Sequence, residues 1–192
     1  MDYSKEITRY LSLEKEIIDA LSTEDINRGL NEIVSAYDLE GTIYIFGNGG
    51  SAATASHYAN DFNKGISEYT QKKFRFICLN DNVPTIMAIA NDIGYDEIFR
   101  FQLRGRLREG DLVIGISGSG NSKNVINALE YTKECGIRTL GITGYDGGKV
   151  KQMVDVSMHV PIKNMQISED IHMIFDHLMM SVLYEVWGIA GH

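Results

Sequence analysis

Five short runs rich in β-branched and aromatic residues recur along the chain, and segments of helical periodicity are interspersed among them. The runs are Thr42–Phe46, Phe74–Leu79, Leu112–Ile116, Arg138–Ile142 and Val156–Val160. Helical spacing is expected over residues 51–64, 84–91, 96–108, 122–135 and 166–187. Strands that alternate with helices return through right-handed crossovers and build a parallel sheet. The expected fold class is therefore α/β, a three-layer α/β/α sandwich around a five-stranded parallel sheet. Before the first strand, residues 3–37 read as a helical extension. Ile7, Leu11, Leu13, Ile17, Ile18 and Leu21 form one apolar stripe; Thr23-Glu24-Asp25 resets the chain, and Ile26, Leu30, Ile33 and Val34 form a second.

With 192 residues and no Pro/Gly-rich linker, one domain over 1–192 is expected. The formal charge of -8 disfavours a phosphate backbone, so no nucleic-acid partner is expected. No apolar run is long enough to span a membrane, and the charged start is unlike a signal peptide. Cys78 and Cys135 give no disulfide framework, and the expected location is the cytoplasm.

Glycine marks the loops that carry chemistry. Gly47-Asn48-Gly49-Gly50-Ser51 leaves the first strand and opens a helix. Ligands of open parallel sheets lie beyond the carboxyl ends of the strands, where helix N-termini offer unpaired N–H groups. Gly47, Gly49 and Ala52 also satisfy G-x-G-x-x-A. However, about 40 residues precede this strand, and the next strand ends at Asn80-Asp81, beyond the roughly 20-residue offset of a ribose-binding acid. No nucleotide cofactor is expected. The second loop, Ser117-Gly118-Ser119-Gly120-Asn121-Ser122, supplies hydroxyls and an amide but no lysine, so it is not a P-loop. Two such loops point to a phosphorylated ligand. The alternative reading is ordinary helix capping.

A second constellation is acidic and imidazole-bearing. His57 and Asp61 share one helix face at i, i+4. Glu169, Asp170, His172, Asp176 and His177 lie in the last helix, where Asp170 and His177 nearly eclipse. Such groups can move protons or hold a divalent metal. His159 is given no role, and His192, at the chain end, is expected to be disordered.

Taken together, Gly47–Ser51, Ser117-x-Ser119-Gly120-Asn121-Ser122, Asn91-Asp92, the Thr143-Gly144-x-x-Gly147-Gly148 turn and the Glu169–His177 helix resemble the sugar isomerase (SIS) domain family. Within that family the likeness is to the phosphoheptose isomerase branch, over nearly the whole chain. The resemblance implies the SIS fold, which is flavodoxin-like, and a homotetramer with active sites between subunits. It implies that Asn48, Gly49, Ser51, Ser117, Gly118, Ser119 and Ser122 bind a sugar phosphate, with Asp92 and Glu169 also lining the site. It further implies a catalytic and zinc-binding set at His57, Asp61, Glu169 and His177, with one zinc per subunit. Asp61 stands where the family has Glu, and Glu169 where it has Gln. The competing account of the set is that the carboxylates only position the imidazoles.

The implied activity is aldose–ketose isomerisation of sedoheptulose 7-phosphate to D-glycero-D-manno-heptose 7-phosphate, for heptose and surface-polysaccharide synthesis. Asp61 is the candidate base and His177 the candidate acid, or the reverse. Two alternatives remain open: a non-catalytic phosphosugar-binding regulator or adaptor, and an isomerase of another phosphosugar.

Overall fold

The computed structural model describes residues 1–189, so His192 lies outside the described residues. Two helices come first, α1 (Ser4–Asp19) and α2 (Thr23–Asp38), the second capped by Ser22, whose side chain accepts from the Asp25 N–H. The expected break at Thr23 is thus a helix start. Then follow β1 (Ile43–Gly47), α3 (Gly50–Asn60), β2 (Phe76–Cys78), α4 (Val83–Asp92), α5 (Arg100–Leu103) and β3 (Leu112–Ser117). The chain closes with α6 (Lys123–Glu134), β4 (Arg138–Thr143), α7 (Gly148–Met153), β5 (Val156–His159) and α8 (Met165–Val186).

All five strands pair parallel, in the order β2-β1-β3-β4-β5. Strand residues alternate between two cores. Ile43, Ile45, Leu112, Ile114, Ile116, Leu140 and Ile142 face the layer of α2, α3 and α8. Tyr44, Phe46 and Val113 face α4, α5, α6 and α7. Because both faces are covered, β1 and β3 are buried at every position, and their sequences read as unbroken apolar runs.

Three helical expectations need correction. The segment 96–108 is not one helix. A single tight turn at Tyr95–Glu97 precedes the four-residue α5, because Gly94 at φ 139 and Gly105 at φ 71 bracket a stretch too short to propagate. The helix expected over 51–64 is α-helical only to Asn60. It then widens into a π-turn over Asp61–Ile66. Helix α7 was not anticipated: its glycine-rich start reads as a turn.

Chain order reverses between β1 and β3, the switch point where an open sheet leaves a crevice. The loops after β1 and β3, both singled out in the sequence, meet there.

Candidate functional site

The loop after β1 is held by amides. Asn80, at the end of β2, accepts from Gly47 N–H (3.2 Å) and donates to Gly47 O (2.9 Å), as a neighbouring strand would. Asn48 and Asn124 exchange reciprocal side-chain hydrogen bonds, each 2.9 Å, and Tyr95 Oη donates to Asn48 Oδ1 at 2.9 Å. Asn48 therefore ties the first loop to α6, and its carbonyl oxygen already has two donors. Asn80, Tyr95 and Asn124 were missed by sequence reasoning. Asn80 and Asn124 were signalled only as amides close to the loops, and Tyr95 carried no signal.

The second loop is shaped by close approach. A Cβ on Gly120, at φ +66, would lie 1.9 Å from Gly147 O. Gly144 N–H donates to Gly118 O (2.9 Å), and Val150 N–H to Gly120 O (3.0 Å). The glycine-rich turn at Gly144–Gly148 thus buttresses the second loop. Ser117 Oγ and Ser122 Oγ lie 3.2 Å apart.

Between the loops is a cavity of about 160 Å³ lined by Asn48, Ser51, Ser117, Gly118, Ser119, Ser122, Met165 and Glu169. It falls below the roughly 300–1,000 Å³ of a complete small-molecule site, so it suits one end of a ligand. Helices α3 and α6 open onto it with no side-chain cap on their N–H groups, whereas Asn82 and Asn164 cap α4 and α8. Uncapped N–H groups and the positive helix end favour an anion. Gly49 caps α3 at φ 58, and a Cβ there would meet nothing within 4 Å. Asp92 is elsewhere: it is exposed at the end of α4, beside Ile93 and Phe101 rather than in this cavity.

Helices α3 and α8 pack side by side and parallel. At their starts, a Cβ on Gly50 would stand 2.7 Å from both Glu169 carboxylate oxygens. Further along, Tyr58 Oη donates to His172 O at 3.0 Å. About two turns from the loops, His57, Asp61, Asp176 and His177 converge, with one ligand atom from each within 4.8 Å of all the others. His57 Nε2 lies 3.1 Å from His177 Nε2, 3.3 Å from Asp61 Oδ2 and 3.8 Å from Asp176 Oδ2; His177 Nε2 lies 3.8 Å from Asp61 Oδ2. This cluster can bind a metal ion.

The expected metal set is corrected at one position: Glu169 is not in the cluster, and Asp176 is. Glu169 and His177 are eight residues apart, which is about 12 Å of helix rise, although they stand only about 80° apart around the helix. Asp170 is also elsewhere, accepting a hydrogen bond from Tyr10 on α1. Asp176 is fully buried, and burial first, then the Asp61 carboxylate, pushes it up to about 8. His172 is equally buried, and desolvation pushes it down to about 4.

The SIS domain family model matches residues 2–144. The phosphoheptose isomerase of Aliarcobacter butzleri is 34% identical over 179 residues, 92% of this chain and 94% of that protein. That of Aneurinibacillus thermoaerophilus is 35% identical over 188 residues, 96% of this chain and 93% of that protein. The solved phosphoheptose isomerase from Neisseria gonorrhoeae superimposes with a TM-score of 0.87 at 28% identity, covering 96% of this chain and 100% of the other. The one from Francisella tularensis gives 0.87 at 25%, covering 95% and 98%.

Proposed function

The chain belongs to the SIS domain family, on its phosphoheptose isomerase branch, and from that premise we propose that it interconverts sedoheptulose 7-phosphate and D-glycero-D-manno-heptose 7-phosphate. The product's use would be heptose and surface-polysaccharide synthesis. The observation that carries the reading is the spacing of two chemically distinct sites along the paired helices. Ser51 to His57 is about 9 Å of helix rise and Glu169 to His177 about 12 Å. An extended seven-carbon chain built from bonds of about 1.5 Å places C1 roughly 10 Å from a phosphorus on O7. A five-carbon phosphate falls short by about 2.5 Å on the same bond lengths.

The phosphate would sit on the uncapped starts of α3 and α6, with the hydroxyls of Ser51, Ser117, Ser119 and Ser122 and the backbone of Gly49 and Gly118. Asn48 would orient the loop and offer its remaining amide hydrogen. Glu169 would accept from a sugar hydroxyl. Asp92 faces away from the cavity, so its role would be to line a site completed by another subunit. At the far end, Asp61 would remove a proton from C1 of the ketose while His177 protonates O2, giving an enediol, each acting through the atom that does not face the cluster, Asp61 Oδ1 and His177 Nδ1. Return of a proton to C2 and loss of one from O1 give the aldose, with the two roles exchanged in the opposite direction. Imidazole and carboxylate donors fit zinc, and His57, Asp61 and His177 would hold one ion per subunit. Bound there, the metal would polarise the substrate's carbonyl and hydroxyl oxygens.

A homotetramer is part of the same reading. Ile17 and Leu30 are buried in this chain's own core, and Leu13, Leu21 and Val34 pack against it. Ile7, Leu11 and Ile18 stay exposed along one face of α1, an apolar stripe suited to a helix-bundle interface. No helix among the described residues is long and apolar enough to cross a membrane, and both cysteines are free, which supports a cytoplasmic location.

The deciding experiment is incubation of the pure protein with sedoheptulose 7-phosphate, followed by NMR of the anomeric region. Aldose signals at equilibrium are expected. Binding without turnover would replace the isomerase with a phosphosugar-binding regulator, and turnover of hexose or amino-sugar phosphates alone would change the substrate.

A further inference from the structure

We propose that Asp176 is a direct ligand of the divalent ion at the α3–α8 cluster, in the position that the family resemblance gives to Glu169. The proposal rests on the reading of that cluster as a metal site and adds a ligand to it. Asp176 has no exposed surface, and neither of its carboxylate oxygens has a hydrogen-bond partner. A buried carboxyl without a donor is strongly destabilising unless something neutralises or coordinates it.

The groups that face it do not supply that partner. Tyr58 gives its hydroxyl proton to the His172 carbonyl. His57 Nε2 is 3.8 Å away, too long for a hydrogen bond, and Asp61 is a second carboxylate, whose charge disfavours ionisation of Asp176.

The spacing of the four groups fits a shared cation. Four ligands at zinc distances of about 2.0–2.1 Å stand about 3.3–3.4 Å from one another around a tetrahedron. Four of the six separations, 3.1, 3.3, 3.8 and 3.8 Å, bracket that edge, and all six lie within 4.8 Å. Asp176 is the residue beside His177, so α8 presents two ligands from one turn, while α3 and the π-turn that continues it present His57 and Asp61. Glu169 is then left to the substrate cavity, where its oxygens already lie.

The test uses full-length untagged protein, stripped with chelator and titrated with Zn²⁺ by calorimetry and with Co²⁺ by its visible ligand-field spectrum. Wild-type protein should take up one ion per chain. Asp176→Leu and the closer-fitting Asp176→Asn should each weaken binding at least tenfold and alter the cobalt band, and Glu169→Gln should leave both within twofold. Metal-free Asp176→Leu should melt above metal-free wild type, because it no longer buries an unpaired carboxyl. It should lose the further rise that metal gives wild type. Wild-type affinity in either Asp176 variant overturns the proposal and leaves the metal site standing on the other three residues. A wild-type chain that binds neither ion overturns both.

Discussion

Gly50→Ala tests whether the position of Glu169, rather than its mere presence, governs substrate binding. The added methyl would lie 2.7 Å from both carboxylate oxygens and 2.8 Å from the carboxyl carbon. Ordinary contact begins near 3.4 Å, so the carboxylate must retreat by about 0.7 Å, away from the cavity it lines with Ser51 and Ser117. The retreat is available, because the obstacle is the tip of a half-buried, flexible side chain. Stability should change little. Alanine gains up to about 1 kcal/mol over glycine in a helix, and a displaced rotamer costs about 0.5–1.5 kcal/mol. Function should change much more. A lost hydrogen bond to a charged group is worth about 1.5–3 kcal/mol, which is roughly 10- to 150-fold in kcat/KM. The assay is isomerase kinetics on sedoheptulose 7-phosphate beside thermal melting, for Gly50→Ala, Glu169→Ala and the double variant. The double variant should be no slower than Glu169→Ala alone, since both changes act through one side chain. Wild-type kcat/KM in Gly50→Ala, or strict additivity in the double variant, would refute this account.

Acid stability should depend on His172. Its pKa is depressed to about 4 by burial, against about 6.5 when unfolded. The stability from keeping it neutral is therefore present above pH 6.5 and is lost as pH falls from there through about 4. Over that window it amounts to about 3 kcal/mol. Urea titrations should show the stability of wild type minus that of His172→Leu falling by that order from pH 7 to pH 4, and parallel profiles would contradict it. Ser51→Ala and Ser119→Ala should each weaken binding of inorganic phosphate at least several-fold by calorimetry, the loss of one bond to an anion. Unchanged binding in both would remove the loops from the site. Light scattering should give a mass near four times 21.5 kDa, and Leu11→Glu on the exposed face of α1 should reduce it.

The architecture was readable from the chain because its signals are local. Burial on both faces turns β1 and β3 into unbroken apolar runs, and the two loops declare themselves through glycines and hydroxyls beside strand ends. The same local reading fails where two or more segments must be compared. The Gly144–Gly148 turn gave no hint that it supports the loop after β3, because Gly147 O meets Gly120 only after β3 and β4 are paired. Asn80 and Asn124 carry no motif. Their roles arise from strand ends brought together by the sheet order β2-β1-β3.

The His/Asp cluster divides most clearly between the two. Sequence supplied His57 with Asp61 from i, i+4 spacing, and placed His177 on a single later helix. The pairing of His177 with Glu169 came from the family resemblance, and nothing in the chain's periodicity opposed it, because a helical wheel records angle and omits rise. Tertiary structure chose Asp176, since α8 lies parallel to α3 in a register that sets His177 against His57 and leaves Glu169 against Gly50. Periodicity within one chain segment fixes which residues share a face. Which of them share a site depends on where a second helix stops alongside, and packing against the sheet decides that.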